Sequence, residues 1–159
     1  MTNLLIIAGE ESGDLHGAAL INELKNIDDT LSIYGIGGNK MSLAGMNIIY
    51  HINKMAFLGF VEVLRHIPFI KKVQKDLISV IIEKNIKVAV LIDYPGFNLS
   101  LAKKLKKMNV KIIYYISPQI WAWGAGRLNK IKRIVDKMLV VFPFEEQLYS
   151  WSSIVRENR

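Results

Sequence analysis

The sequence contains no cysteine and only three histidines in 159 residues. Disulfides and thiolate metal sites are therefore excluded and an imidazole-built zinc centre is disfavoured, so redox and structural-zinc functions drop out. No apolar run approaches the ~18 residues that a bilayer-spanning helix requires, because charges or prolines interrupt every hydrophobic stretch. An integral membrane protein with a spanning helix is excluded on that count. The opening Met1-Thr2-Asn3 passes straight into the short run Leu4–Ala8, with no basic segment and no long apolar segment before it. A secretory signal is not expected, and the chain is expected to stay in the cytoplasm. Acidic groups are scarce after the first fifty residues: residues 1–50 carry two Lys against six Asp and Glu, and residues 51–159 carry nineteen Lys and Arg against eight, a balance of −4 followed by +11. One-sided positive charge suits an anionic partner, whether nucleic acid, phosphorylated ligand or anionic lipid, and does not choose among them.

What is present is hydrophobicity, at 51% of residues, enough for one compact domain with a real core and too much for a disordered chain. Short β-branched runs alternate with longer helical patterns. Strands are expected at Leu4–Ala8, Leu31–Ile36, Asn47–Tyr50, Val88–Ile92, Lys111–Ile116 and Met138–Val141, and helices at Asp14–Asn26, Val61–Lys84 with an adjustment at Pro68, Leu99–Met108 and Arg127–Val135. Runs such as Val88-Ala-Val-Leu-Ile92, apolar at successive positions, fit strands covered on both faces. The fold class expected is α/β, a Rossmann-like open parallel sheet, in which ligands gather beyond the carboxyl ends of the strands.

The loops expected at those ends hold the informative residues. Ala8-Gly-Glu-Glu-Ser-Gly-Asp14 follows the first strand and matches neither the G-x-G-x-x-G fingerprint nor a P-loop. Its carboxylates Glu10, Glu11 and Asp14 would repel a pyrophosphate. Ser12 and Asp14 suit helix capping, and the loop equally suits binding of substrate hydroxyls. Gly35, Gly37 and Gly38 after the second strand permit either a tight turn or close approach to a ligand. Asp93 ends a strongly apolar strand beside Ile92, Tyr94 and Phe97. Partial burial there would raise its proton affinity and make it the best candidate general base; the alternative is a cap for a helix beginning near Phe97. Asn98 would either orient a substrate hydroxyl or close that turn. In the stretch from Ser117 to Arg127, Gln119, Trp121 and Trp123 would stack on sugar rings or acyl chains, with Arg127 on a phosphate, or else the tryptophans plug the core. Met55, Phe57, Leu58, Phe60 and Phe69, bordered by Lys71, Lys72 and Lys75, compose either an interfacial membrane contact or a buried helix with a solvated lysine face.

Four segments, Ala8-Gly-Glu-Glu-Ser-Gly-Asp-Leu-His-Gly17, Gly59-Phe-Val-Glu-Val-Leu64, Ile92-Asp-Tyr-Pro-Gly-Phe-Asn98 and Tyr115-Ile-Ser-Pro-Gln-Ile-Trp-Ala-Trp123, closely resemble the lipid-A-disaccharide synthase family, and Phe142-Pro-Phe-Glu-Glu146 adds a fifth. The resemblance spans residues 4–149. It implies the N-terminal, acceptor-side domain of a GT-B glycosyltransferase, an inverting enzyme that joins UDP-2,3-diacylglucosamine to 2,3-diacylglucosamine 1-phosphate (lipid X) and releases UDP. It implies Asp93 as the base for the acceptor 6-hydroxyl and a peripheral position on the inner membrane, with no metal and no cofactor. Substrate contacts are expected of Glu10, Ser12, Gly13, Asp14, Gly37 and Gly38 in the first two loops, Glu62 in the Gly59–Leu64 motif, and Asn98, Gln119, Trp121, Trp123 and Arg127 further on.

Such an enzyme needs a second Rossmann-like domain to hold the UDP-sugar, and at ~150 residues per domain this chain supplies one. Residues 150–159 are expected to be an atypical tail of truncation or frameshift type. The competing expectation is a non-catalytic lipid or membrane-binding module, acting alone, as a homo-oligomer, or with a separately encoded donor domain. Nucleic-acid binding is not expected, since the positive charge accompanies no recognition fold.

Overall fold

The computed structural model describes residues 2–55, 66–117, 125–140 and 155–156. Its strands are β1 (Asn3–Ala8), β2 (Ser32–Gly37), β3 (Asn47–His51), β4 (Val88–Ile92), β5 (Lys111–Tyr115), β6 (Lys137–Val140) and β7 (Val155–Arg156). Its helices are α1 (Glu11–Ile27), α2 (Asn39–Leu43), α3 (Ile67–Glu83), α4 (Pro95–Lys107) and α5 (Ala125–Ile134), with a 3-10 turn at Ile52–Lys54. The strands form one sheet in the order β3-β2-β1-β4-β5-β6-β7, and every neighbouring pair runs parallel. The strand order reverses direction between β1 and β4, which is the crevice where such sheets take ligands.

Alternation of side chains along the strands decides the two layers. From β1 and β4, Leu5, Ile7, Ala89 and Leu91 enter one core with Val73, Leu77 and Ile81 of α3, Leu101 and Leu105 of α4, and Ile131 of α5. Leu4, Ile6, Ala8, Val90 and Ile92 enter the other with Ile21 of α1 and Met41 of α2. Right-handed crossovers require this division, since the chain leaves β1 toward β2 and β3 and later advances the opposite way from β4. Val73, Leu77 and Ile81, four residues apart, make one buried stripe on α3. Truncating Leu77 to Ala is worth ~2–5 kcal/mol by the usual cost of a core cavity.

The expected α/β Rossmann-like sheet is therefore present, with informative departures. Pro68 lies in the first turn of α3 rather than bending a longer helix, because its missing N–H falls among donors that have no intrahelical partner; residues 61–65 of the expected helix lie outside the described residues. Helix α4 begins at Pro95, before the expected Leu99. Neither Ser12 nor Asp14 caps α1, whose N-cap is Glu10 and carries no side-chain capping bond. In the segment 150–159, set apart above as a tail, Val155–Arg156 extends the sheet beside β6.

Candidate active site

The carboxyl ends of β1, β4 and β5 meet at one edge. Asp93 follows β4 with φ 44°, Tyr94 has φ 47°, and Ile116, next after β5, has φ 64°. Asn85 and Asn109 also have positive φ, but they stand just past the caps of α3 and α4, where a left-handed residue routinely ends a helix. Asp93 and Ile116 follow strands, and Tyr94, at the N-cap of α4 where the backbone is ordinarily extended, is left-handed. A non-glycine residue held there costs about 1–3 kcal/mol, and such strain clusters at functional sites.

Hydrogen bonds hold Asp93 on both sides. Its N–H donates to the Tyr115 carbonyl at 3.0 Å. Its own carbonyl accepts from Asn98 Nδ2 at 2.8 Å and from the Tyr114 hydroxyl at 2.5 Å. The carboxyl is half-buried, and burial first, then the Glu10 carboxylate across the crevice, raise its pKa above the ordinary aspartate value. The same two causes push the Tyr94 phenol up to about 12. A carboxylate of raised proton affinity at the switch point, with an acidic neighbour, is suited to take a proton from a hydroxyl. Asp93 does not cap α4, whose N-cap is Tyr94.

Tyr94 was not singled out by sequence reasoning. Its ring lies over Gly9, where a Cβ would stand 2.2 Å from Tyr94 Cγ, and its hydroxyl donates to the Met55 carbonyl at 3.3 Å. The signal available in the sequence was the glycine directly after β1, facing the turn that follows β4. Tyr114 was missed as well, because its partner is on the neighbouring strand.

The other sequence-derived residues divide sharply. Glu10 and Ser12 are exposed at the mouth, with the Ser12 hydroxyl donating to Glu10 Oε1 at 3.2 Å. Asp14 is 1% exposed, and its carboxylate accepts from the Gly38, Lys40 and Met41 amides, so it caps α2 rather than its own helix. A Cβ at Gly38 would stand 2.6 Å from Asp14 Oδ2, so the close approach there is to the chain's own aspartate. Gly13 and Gly37 are buried against Ala8 and Met41. Asn98 is 0% exposed with both Nδ2 contacts on backbone carbonyls, of Ile92 and Asp93, so it closes the turn. Met55, expected at a membrane surface, is 1% exposed and packs in the core with Ile52 and Val73. Phe69 is half-buried on the core with its ring edge-to-face on Tyr50, and Lys71 is exposed. Lys72 donates to Asp76 at 2.8 Å and to the Tyr50 hydroxyl oxygen at 3.0 Å, which raises its pKa, and the bonds that Asp76 accepts from Lys72 and from the Tyr50 hydroxyl lower that of the carboxyl. Glu62, Gln119, Trp121, Trp123, Phe57, Leu58 and Phe60 lie outside the described residues. Arg127 lies on α5, of whose Arg127 side chain nothing is described. Among the described residues no His, Asp or Glu cluster could hold a metal ion, and no helix is long and apolar enough to cross a membrane.

Fold and crevice together define an α/β protein with the Rossmann-like sheet of the GT-B class. A solved structure supports the fold: UDP-GlcNAc 2-epimerase from Neisseria meningitidis bound to UDP-GlcNAc, with a TM-score of 0.66 at 10% identity, matches 98% of this chain and 45% of that one. The family model for lipid-A-disaccharide synthetase matches residues 4–156, and the chain belongs to that family. That match runs beyond residue 149, into the segment read above as a tail. Curated relatives named lipid-A-disaccharide synthase include those of Geobacter sulfurreducens, 47% identical over 151 residues, Coxiella burnetii, 44% over 152, and Myxococcus xanthus, 43% over 152. These alignments cover 94–96% of this chain and 39–40% of the relatives, so the chain spans about two fifths of their length.

Proposed function

We propose that this chain is the acceptor-binding, base-carrying part of a lipid-A-disaccharide synthase. Asp93 removes the proton from the 6-hydroxyl of 2,3-diacylglucosamine 1-phosphate as that oxygen attacks the anomeric carbon of UDP-2,3-diacylglucosamine. The anomeric C–O bond to UDP breaks, the configuration inverts, and UDP leaves with the electron pair. No metal takes part and no covalent intermediate forms. Glu10 and Ser12 border the acceptor, and substrate contacts are proposed as well for Glu62, Gln119, Trp121, Trp123 and Arg127. The donor nucleotide is assigned to a part of the enzyme outside these residues, in keeping with the greater length of the relatives.

The observation that carries this reading is the half-buried Asp93 carboxyl at the switch point, its pKa raised by burial and Glu10. Membrane contact is proposed for Phe57, Leu58, Phe60 and the flank of Phe69, with Lys71 meeting lipid phosphate at the inner-membrane surface. The test of the reaction is a chimaera carrying the remaining length of the Geobacter sulfurreducens relative. Asp93→Asn in it should lower turnover by about a hundredfold or more, as loss of a general base does. Near-native turnover by that variant would exclude the role. The 159-residue chain alone, given both substrates, should release no UDP above the blank.

A further inference from the structure

We propose that Tyr114 is a positioning residue for Asp93, its hydroxyl holding the aspartate's carbonyl so that the carboxyl stays in the crevice facing Glu10. The functional meaning rests on Asp93 being the base proposed above; the geometry stands apart from that reading. Tyr114 lies on β5 with its ring wholly buried in the layer shared with α3 and α4. Phenylalanine would fill that volume without bringing a hydroxyl into an apolar core, where a polar group without a partner is costly. The hydroxyl is accommodated by the Asp93 carbonyl, one residue past the end of β4, while β4 and β5 are paired in register with Leu91 opposite Tyr114 and Ile92 opposite Tyr115.

A second donor from another element, Asn98 Nδ2 in the first turns of α4, reaches the same oxygen. With the Asp93 N–H fixed to Tyr115, the peptide units on both sides of the aspartate are held, at a φ of 44° that the residue rarely adopts unaided. Without the Tyr114 bond Asp93 is free to relax toward ordinary dihedrals, which turns its carboxyl out of the crevice toward water and away from Glu10. Among the described residues the charged group acting on that carboxyl is Glu10 from the β1–α1 turn, while the backbone N–H of Tyr94 donates to it and works in the opposite, lowering direction.

The experiment is a carboxyl-carbon NMR titration of the whole 159-residue chain, with the Asp93 resonance assigned by its loss in Asp93→Asn. Tyr114→Phe should move the Asp93 midpoint down toward the ordinary aspartate range, while Tyr115→Phe, on the other face of the sheet, leaves it in place. Asn98→Ala, which spares the Tyr114 ring and removes the bonds to the Ile92 and Asp93 carbonyls, should shift it the same way. A folded Tyr114→Phe chain with the native Asp93 midpoint overturns the proposal, as does an equal shift in Tyr115→Phe. Should Tyr114→Phe not fold, the native chain decides: a Tyr114 hydroxyl proton with no cross-relaxation to the Asp93 α-hydrogen overturns the proposal, and one that shows it supports the bond. The titration requires no turnover, so native-like activity of Asp93→Asn in the chimaera defeats the general-base reading without altering this result.

Discussion

Asp14 Oδ1 lies 2.6 Å from the Gly38 amide nitrogen, and the same carboxylate accepts from Lys40 and Met41, so an aspartate of α1 closes the amino end of α2. The bond joins the turn after β1 to the turn after β2, the two loops that flank the crevice on its β2 side. A carboxylate so deeply buried is tolerable because three backbone donors surround it.

Asp14→Ala should destabilise the chain by about 3 kcal/mol, since it leaves three buried or half-buried amides without their acceptor and removes the cap of a five-residue helix. Asp14→Asn should cost less, as the amide oxygen keeps part of the acceptance. Urea unfolding measures both. A loss under ~1 kcal/mol for Asp14→Ala would mean that water or a neighbouring group takes over the cap.

Gly9→Ala should cost about 1–3 kcal/mol by overpacking, because the new methyl group would overlap the Tyr94 ring. The same substitution in a Tyr94→Ala background should cost less than ~0.5 kcal/mol, the mark of two coupled positions in a double-mutant cycle. Equal costs in both backgrounds would remove Tyr94 as the cause.

Membrane contact is expected to be peripheral and partly salt-sensitive. At ~0.15 M salt, exposed charges beyond about 8 Å are screened, so the Lys71 contribution should fade while the apolar one persists. Lys72 should add little, since its ammonium is already held by Asp76 and Tyr50. Liposome co-sedimentation of the native chain against Phe57→Ser/Phe60→Ser decides: a native chain that stays in the supernatant with every lipid, or a folded double variant that sediments equally, places this segment with the core.

The strand Val88–Ile92 was legible to the residue because five successive apolar residues, three of them β-branched and bounded by Lys87 and Asp93, have the length and composition of a strand buried on both faces. The position of Asp93 followed from it, since whatever ends that strand must reach the crevice. Helix α2 was not legible. Five residues have almost no propensity of their own, and what holds them is the carboxylate of Asp14, whose partners lie on a different loop. The early start of α4 was hidden in Tyr94-Pro95-Gly96, which reads as a turn by composition; two left-handed residues make the bend instead, and Pro95 then serves the first helical turn. Tyr114 fell inside the expected strand Lys111–Ile116 and was not singled out, because a bond to the end of the next strand leaves no local pattern.

The last expectation concerns stability against pH. In the unfolded chain Asp93 titrates at the ordinary aspartate value; in the folded chain burial and Glu10 raise it. Between the two midpoints the native state keeps a proton that the unfolded state has lost, so stability falls as pH rises through the folded midpoint and is fully present below the unfolded one. Asp93→Asn carries no charge to desolvate, so its urea midpoint should exceed the native one at ~pH 8 and approach it at ~pH 3, with Glu10→Gln flattening the native dependence in the same direction. An Asp93→Asn chain no more stable than the native one at ~pH 8 would mean that the carboxylate is solvated in the folded protein, and the basis for its raised proton affinity would be gone.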